Sequence, residues 1–527
     1  MNQRARGALS VTGVLAVAGG IAVGAAMLPE QIGVSAVSST VSNRLPAAMA
    51  VPTLACSGPE TLVVPEGGKA VSPDAGVLIS ALLASEGEAE AELQAEGKNF
   101  DAIRQLSESV PKTGFSVHPG TRVELENEEG QASVAGLSTW NLGPIVMTAE
   151  AGRAGDAPEL AAVQSTLTAK GDLRGLSASR CDQTSGDAWL VGGGTRTGQR
   201  LRLVLSNPTA SAAVVDVTVL GADGRVEAPS GDGVVVPAGG QTPLFVDALA
   251  PNQERVAVHV VARSGQVVAR MHDSRLRGLV PSGVDVVSPS AEPARRQLIP
   301  GISLVNGYSR TADDPAAPGS TSVRVAVPGS EEAVVRVRLL SSSGEAEMPT
   351  PAVLNIPGGG VADVPVSGIA SGTYTAVVEA DVPVVAAAQI GRLGSPGRQA
   401  TEFGWAPAVP ALDRGGYSVL PAGSRATVSL VAAGPDSALT ITPIDAEGRE
   451  LKPVKVEMKK GTGSAFPLEE KTAAFRMSRP EGGPVAASLV ATSTDESGTS
   501  ITVLGVQPAS ADDVPATAVA DTRVGLR

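Results

Sequence analysis

At 527 residues the chain is longer than one hydrophobic core serves, so several domains are expected. Its 54 acidic against 41 basic residues give a formal charge of −13, which disfavours phosphate backbones and anionic lipid as partners. Hydrophobic residues make up 43% but aromatics only 2%, so the cores must be built from Val, Ala, Leu and Ile. With 61 Gly and 39 Pro punctuating short apolar runs, the chain reads as all-β.

In chain order, Arg4 and Arg6 come first, ahead of an uncharged stretch over residues 7–28. At about 1.5 Å per residue this stretch just spans about 30 Å of hydrocarbon. Positive residues ahead of it hold that end in the cytoplasm. A single membrane helix is therefore expected, with the rest of the chain outside. The alternative is a cleaved secretory signal, for which Val34-Ser-Ala36 supplies small residues. A lipid-anchored Cys56 is disfavoured, because Thr53-Leu-Ala-Cys56 lies too far beyond the apolar run. Anchor and signal both export the chain. In an oxidising compartment its two cysteines predict one disulfide, Cys56 to Cys181. Such a long closed loop is worth about 2–4 kcal/mol. A reactive thiol is disfavoured, since the sequence has no CxxC.

Residues 29–55 read as a spacer and 56–187 as an N-terminal β domain carrying the disulfide. Strands are expected near 61–64, 121–125, 131–140 and 163–170. The acidic, Ala-rich stretch at 86–97 reads as a surface helix or solvated loop. From residue 188 one pattern recurs three times. The first copy reads Ala213-Val-Val-Asp-Val-Thr-Val, a turn at Gly224, then Val234-Val-Val-Pro237. The second reads Ala333-Val-Val-Arg-Val-Arg-Leu, Gly344 and Leu354-Asn-Ile-Pro357, with the same glycine-to-proline spacing. A weaker third reads Ala438-Leu-Thr-Ile-Thr-Pro-Ile, Gly448 and Val456-Glu-Met458.

A period of roughly 110 residues fits one whole sandwich per repeat. Apolar and polar residues alternate along each first strand, as in half-buried antiparallel strands. The expected architecture is tandem Ig-like antiparallel β-sandwich modules at 188–295, 296–409 and 410–510, with a disordered tail at 511–527. No module has the internal Cys pair of antibody domains, and Trp189 and Trp405 fall near module starts.

Chemistry is sparse. The three histidines are His118, His259 and His272, and none has metal-ligand spacing. His272 with Asp273 is the best catalytic or metal-binding fragment, but a surface or strand-edge pair is the expected reading. The run Gly192-Gly-Gly194-Thr-Arg-Thr-Gly198 lacks a Gly-Lys-Ser/Thr ending and leads into a strand, so it reads as a domain-boundary turn rather than a phosphate loop. Asp313 and Asp314 fall short of a Ca²⁺ cage. No GxSxG elbow is present, and no catalytic residue, metal or cofactor is assigned. With 3 Trp, 3 Tyr and 6 Phe, an aromatic platform for sugars is at most a single one.

Three stretches carry a resemblance: Leu54-Ala-Cys56-Ser-Gly-Pro59, Cys181 followed by Trp189-Leu-Val-Gly-Gly-Gly-Thr195, and Leu203-Val-Leu-Ser-Asn-Pro208. In these the chain resembles a family of unknown function, exported membrane-proximal proteins of high-GC Gram-positive bacteria. The resemblance implies a cell-envelope protein and transfers no functional residue. The expected function is a non-enzymatic envelope scaffold or adhesion protein that binds other envelope proteins or wall polymers and no nucleic acid. The alternative is an envelope hydrolase or carbohydrate-active enzyme with its site in the first domain.

Overall fold

Alternation in the sequence becomes alternation of burial. In the strand Ala213–Gly221, Ala213, Val215, Val217 and Val219 are buried and the residues between them half-buried. Ala333–Ser341 repeats this, with Val334 and Arg336 exposed. A computed structural model describes residues 53–60, 77–83, 87–93, 114–116, 122–127, 133–139, 145–151, 159–305, 319–348, 353–366, 368–394 and 401–509. The expected membrane or signal segment, the strand near 61–64, His118, Asp313, Asp314 and the tail lie outside these residues. Among the described residues the chain is almost all β, and no helix is long and apolar enough to cross a membrane.

Repeat 1 shows the plan. Its strands are Asp187–Val191, Gln199–Asn207, Ala213–Gly221, a fourth split into Gly224–Val226 and Val234–Val236, then Gly240–Phe245, Ala257–Ser264, Val268–Arg277 and Val280–Val287. They form two sheets, ordered 1-6-3-4 and 5-2-7-8. Val215, Val217, Val258 and Val260 of the first share one core with Leu201, Leu203, Ala269 and Met271 of the second. Repeat 3 has the same two orders. So does repeat 2, where the 22-residue strand Gly372–Leu393 serves as both sixth and seventh and joins the sheets into one.

The amino-terminal module is a fourth copy. Thr53–Cys56, Ile145–Ala151, Gly87–Leu93 and Arg122–Asn127 repeat the 1-6-3-4 order, and Ser133–Thr139, Val77–Leu83, Leu160–Thr168 and Gly175–Arg180 repeat 5-2-7-8. An extra strand, Gly114–Ser116, pairs in parallel outside Ser133–Thr139. The helix or loop expected at 86–97 is thus wrong, because Gly87–Leu93 is a central strand paired on both sides. Its Glu-Ala-Glu-Ala pattern has period two, and pairing with two neighbours overrides the helix propensity of Ala and Glu.

Met49–Val514 forms one compact unit. The eighth strands of the modules make its centre: Val280–Val287 and Gly498–Gly505 each touch both Gly175–Arg180 and Thr401–Pro407, closing a ring of modules. The approach is tight, since a Cβ on Gly404 would lie 2.8 Å from the Ile501 carbonyl oxygen. Cores run across three of the four seams. Val361, Phe403 and Trp405 of repeat 2 join the repeat 1 core, and Val490, Ile501 and Val503 of repeat 3 join that of repeat 2. Leu82, Ala161, Val163 and Ala178 of the amino-terminal module join that of repeat 3. At the fourth seam, against repeat 1, the apolar cluster among the described residues is Ala55, Val146 and Val268.

Candidate functional site

Cys56 and Cys181 form the disulfide, with S–S 1.98 Å. It ties the end of the first strand to the residue just after the eighth, and its flanks reach repeat 1. After Cys56, Ser57 Oγ lies 3.4 Å from His272 Nε2, and Glu60 Oε2 lies 3.3 Å from His272 Nδ1 and accepts from Arg202 Nη2 at 3.0 Å. After Cys181, Asp182 pairs with Arg180 and with the fully buried Arg270. The expectation of a surface His272–Asp273 pair is therefore wrong, because both residues are fully buried. Adjacent strand residues point to opposite faces, and the two serve different seams. His272 meets the amino-terminal module, whereas Asp273 holds Arg275 at 2.6 Å and accepts from Trp405 Nε1 at 3.0 Å.

Ser57, His272 and Glu60 stand in the order of a hydrolase triad. The geometry is that of a docking centre instead. Ser57 and Glu60 are each 3% exposed, and the Gly58 N–H, a potential oxyanion donor, is committed to Gln164 Oε1 at 2.8 Å. Burial pushes the Glu60 carboxyl up despite Arg202, and burial with Arg202 and Arg270 pushes the His272 imidazole well down. Burial also acts to raise Asp182, but Arg180 and Arg270 outweigh it and hold that carboxyl below the usual range.

A second buried centre lies at the ring. Asp285 Oδ2 accepts from the Trp405 N–H at 2.7 Å and Oδ1 from Thr502 Oγ at 2.9 Å, and the Ala178 N–H also bonds this carboxylate. One donor comes from each of the other three modules. Burial raises Asp285 well above the ordinary carboxylate range against these bonds. Beside it, burial raises Glu402 well above that range although Arg174 lies 2.6 Å away. Neither acid stands in a sequence motif, so only the tertiary structure finds this centre.

The glycine run at 192–198 connects the first two strands of repeat 1 rather than marking a boundary. A Cβ on Gly192 would lie 2.7 Å from Val287 and 3.0 Å from Trp405, and the Gly193 carbonyl accepts from Arg324 of repeat 2. Glycine is required here for packing repeat 2 against repeat 1, not for holding phosphate.

An accessible cleft lies at the joint of repeats 1 and 2, outside these buried centres. It holds about 840 Å³ where repeat 1 meets the turns at Pro328, Ser330 and Gly359 of repeat 2. Trp189, His259 and Thr218 lie directly opposite one another on three neighbouring strands. The Trp189 and His259 rings stack at 3.9 Å with 9° between planes, and His259 Nε2 lies 3.1 Å from both Asp187 oxygens. Arg225 and Glu292 complete the polar lining. Sequence spacing did not single out His259, because its partners come from other strands. No group of three or more His, Cys, Asp or Glu placed to hold a metal occurs among the described residues.

A ring of eight-stranded β modules with an open cleft at one joint defines the class of protein. The chain belongs to a family of unknown function, DUF5719, whose pattern spans residues 134–469, from the amino-terminal module into repeat 3. No curated protein matches it. A solved structure described as a biofilm associated protein BSP domain aligns over 88% of this chain and 97% of its own, with 9% identity and a TM-score of 0.12, too low to carry an argument about fold.

Proposed function

We propose that this chain is a non-enzymatic, extracytoplasmic scaffold or binding protein of the cell envelope, and that the Trp189–His259 cleft holds its partner. The distribution of polar chemistry carries this reading: the acid–base centres are buried within joints between modules, and the open cleft is lined by the partly exposed His259 ring, stacked on the buried Trp189, beside planar polar groups. In this reading the modules are Ig-like sandwiches, residues 7–28 anchor the chain as one membrane helix, and the ring stands outside the membrane. The disulfide supports an oxidising compartment. The partner is a wall polymer or another envelope protein, and the acidic charge disfavours nucleic acid.

A wall saccharide suits the cleft best. The exposed part of the His259 ring is available to a sugar, while Asp187, Glu292 and Arg225 offer planar hydrogen-bonding groups to hydroxyls. Titrating the full chain with soluble wall oligosaccharides, followed by tryptophan fluorescence, tests this. Saturable binding abolished by His259→Ala supports the cleft. No response to any wall oligosaccharide removes the saccharide assignment, and their cleavage restores the hydrolase alternative. Fractionation tests the anchor: a chain recovered from the medium and beginning near Val37 has a cleaved signal instead.

A further inference from the structure

We infer that the Cys56–Cys181 disulfide is the latch of the module ring: its formation closes the seam between the amino-terminal module and repeat 1, beyond stapling its own module. Two residues that reach across this seam with a carboxylate follow a bridged cysteine. Glu60 comes four residues after Cys56 and Asp182 one residue after Cys181. Their targets, Arg202, Arg270 and His272, all lie on the second and seventh strands of one repeat 1 sheet. Ser57 adds a backbone contact, its carbonyl accepting from Gln241 Nε2 at 2.7 Å. One covalent bond therefore positions both arms of the contact.

The seam depends on that bond because its other interactions are weak in net terms. Its apolar part is the small cluster of Ala55, Val146 and Val268. Its polar part joins carbonyl contacts, from Gln241 to Ser57, Arg202 to Pro59 and Arg270 to Arg180, with buried ion pairs whose desolvation cost roughly cancels their attraction unless every remaining polar atom is satisfied. Here Glu60 Oε1 and Arg270 Nε are buried without a hydrogen-bond partner among the described residues. The seam with repeat 3 has a shared apolar core in addition to its hydrogen bonds.

Closure is an oxidation. The two thiols lose two protons and two electrons to an oxidant disulfide, which leaves as a dithiol, while the S–S bond forms. Export to an oxidising compartment thus couples ring closure to location.

Hydrogen exchange on the full chain tests the latch by comparing the oxidised protein with Cys56→Ser/Cys181→Ser. Amides of Gln199–Asn207 and Val268–Arg277 should exchange at least tenfold faster in the variant, while Leu160–Thr168 and Arg425–Ala432 keep their protection. Unchanged exchange at the repeat 1 strands overturns the inference and leaves a local staple. Where the variant unfolds the amino-terminal module, the reciprocal experiment decides: Glu60→Gln/Arg202→Met removes the ion pair and keeps the disulfide. This seam should then stay protected, and its opening with the bond intact overturns the latch. The outcome is independent of the saccharide titration, since the cleft lies on the opposite joint of repeat 1.

Discussion

The two joints of repeat 1 use the same residue type to different ends. Toward repeat 2, guanidiniums rest on aromatic rings: the half-buried Arg275 lies 4.1 Å from the Phe403 centroid, and the buried Arg324 lies 5.1 Å from that of Trp405. Each also has a carboxylate partner, Asp273 for Arg275 and Asp363 for Arg324. Toward the amino-terminal module, Arg202 and Arg270 meet carboxylates, with only a small apolar cluster beside them among the described residues. An arginine backed by aromatic area contributes through dispersion and burial as well as charge, whereas one facing only a buried acid contributes specificity with little net stability. The first joint therefore holds by packing and the second by its covalent strap.

The sharpest way to break this contrast is Trp405→Ala. Trp405 is 1% exposed and sits in the shared core, so its loss should cost about 3–5 kcal/mol and lower the stability of repeats 1 and 2 together in urea denaturation. A loss confined to repeat 2 contradicts a shared core.

Arg202→Met should come next. It leaves Glu60 buried without its guanidinium, at a cost of up to about 3 kcal/mol, and adding Glu60→Gln should recover most of that. Two losses that simply add in a double-mutant cycle show that the residues do not couple.

The smallest effect is a pH slope from the ring centre. The folded values of Asp285 and Glu402 are raised, so their contribution to stability is fully present below the ordinary carboxylate range of about 4 and is lost as pH rises through the raised values. The Tm of the wild type should fall as pH rises, and Asp285→Asn should flatten that fall by about 2 °C or more. Identical slopes for the two proteins mean that Asp285 is ionised at no cost.

The all-β class, the three visible repeats and the disulfide are legible in the residues alone. Alternating Val runs specify half-buried strands through local geometry, and a chain with two cysteines has one possible intramolecular pairing. The residues also placed the chain in its family. That the amino-terminal module is a fourth copy emerges from the fold, because strand order is a property of backbone pairing that survives without the β-branched pattern. The same holds for the chemistry. His272 reads as a surface residue until Glu60, 212 positions earlier, is folded onto it. Asp285 has no signature at all until three other modules each bring it a donor. Contacts between distant segments depend on how whole sheets meet, and no local spacing encodes that.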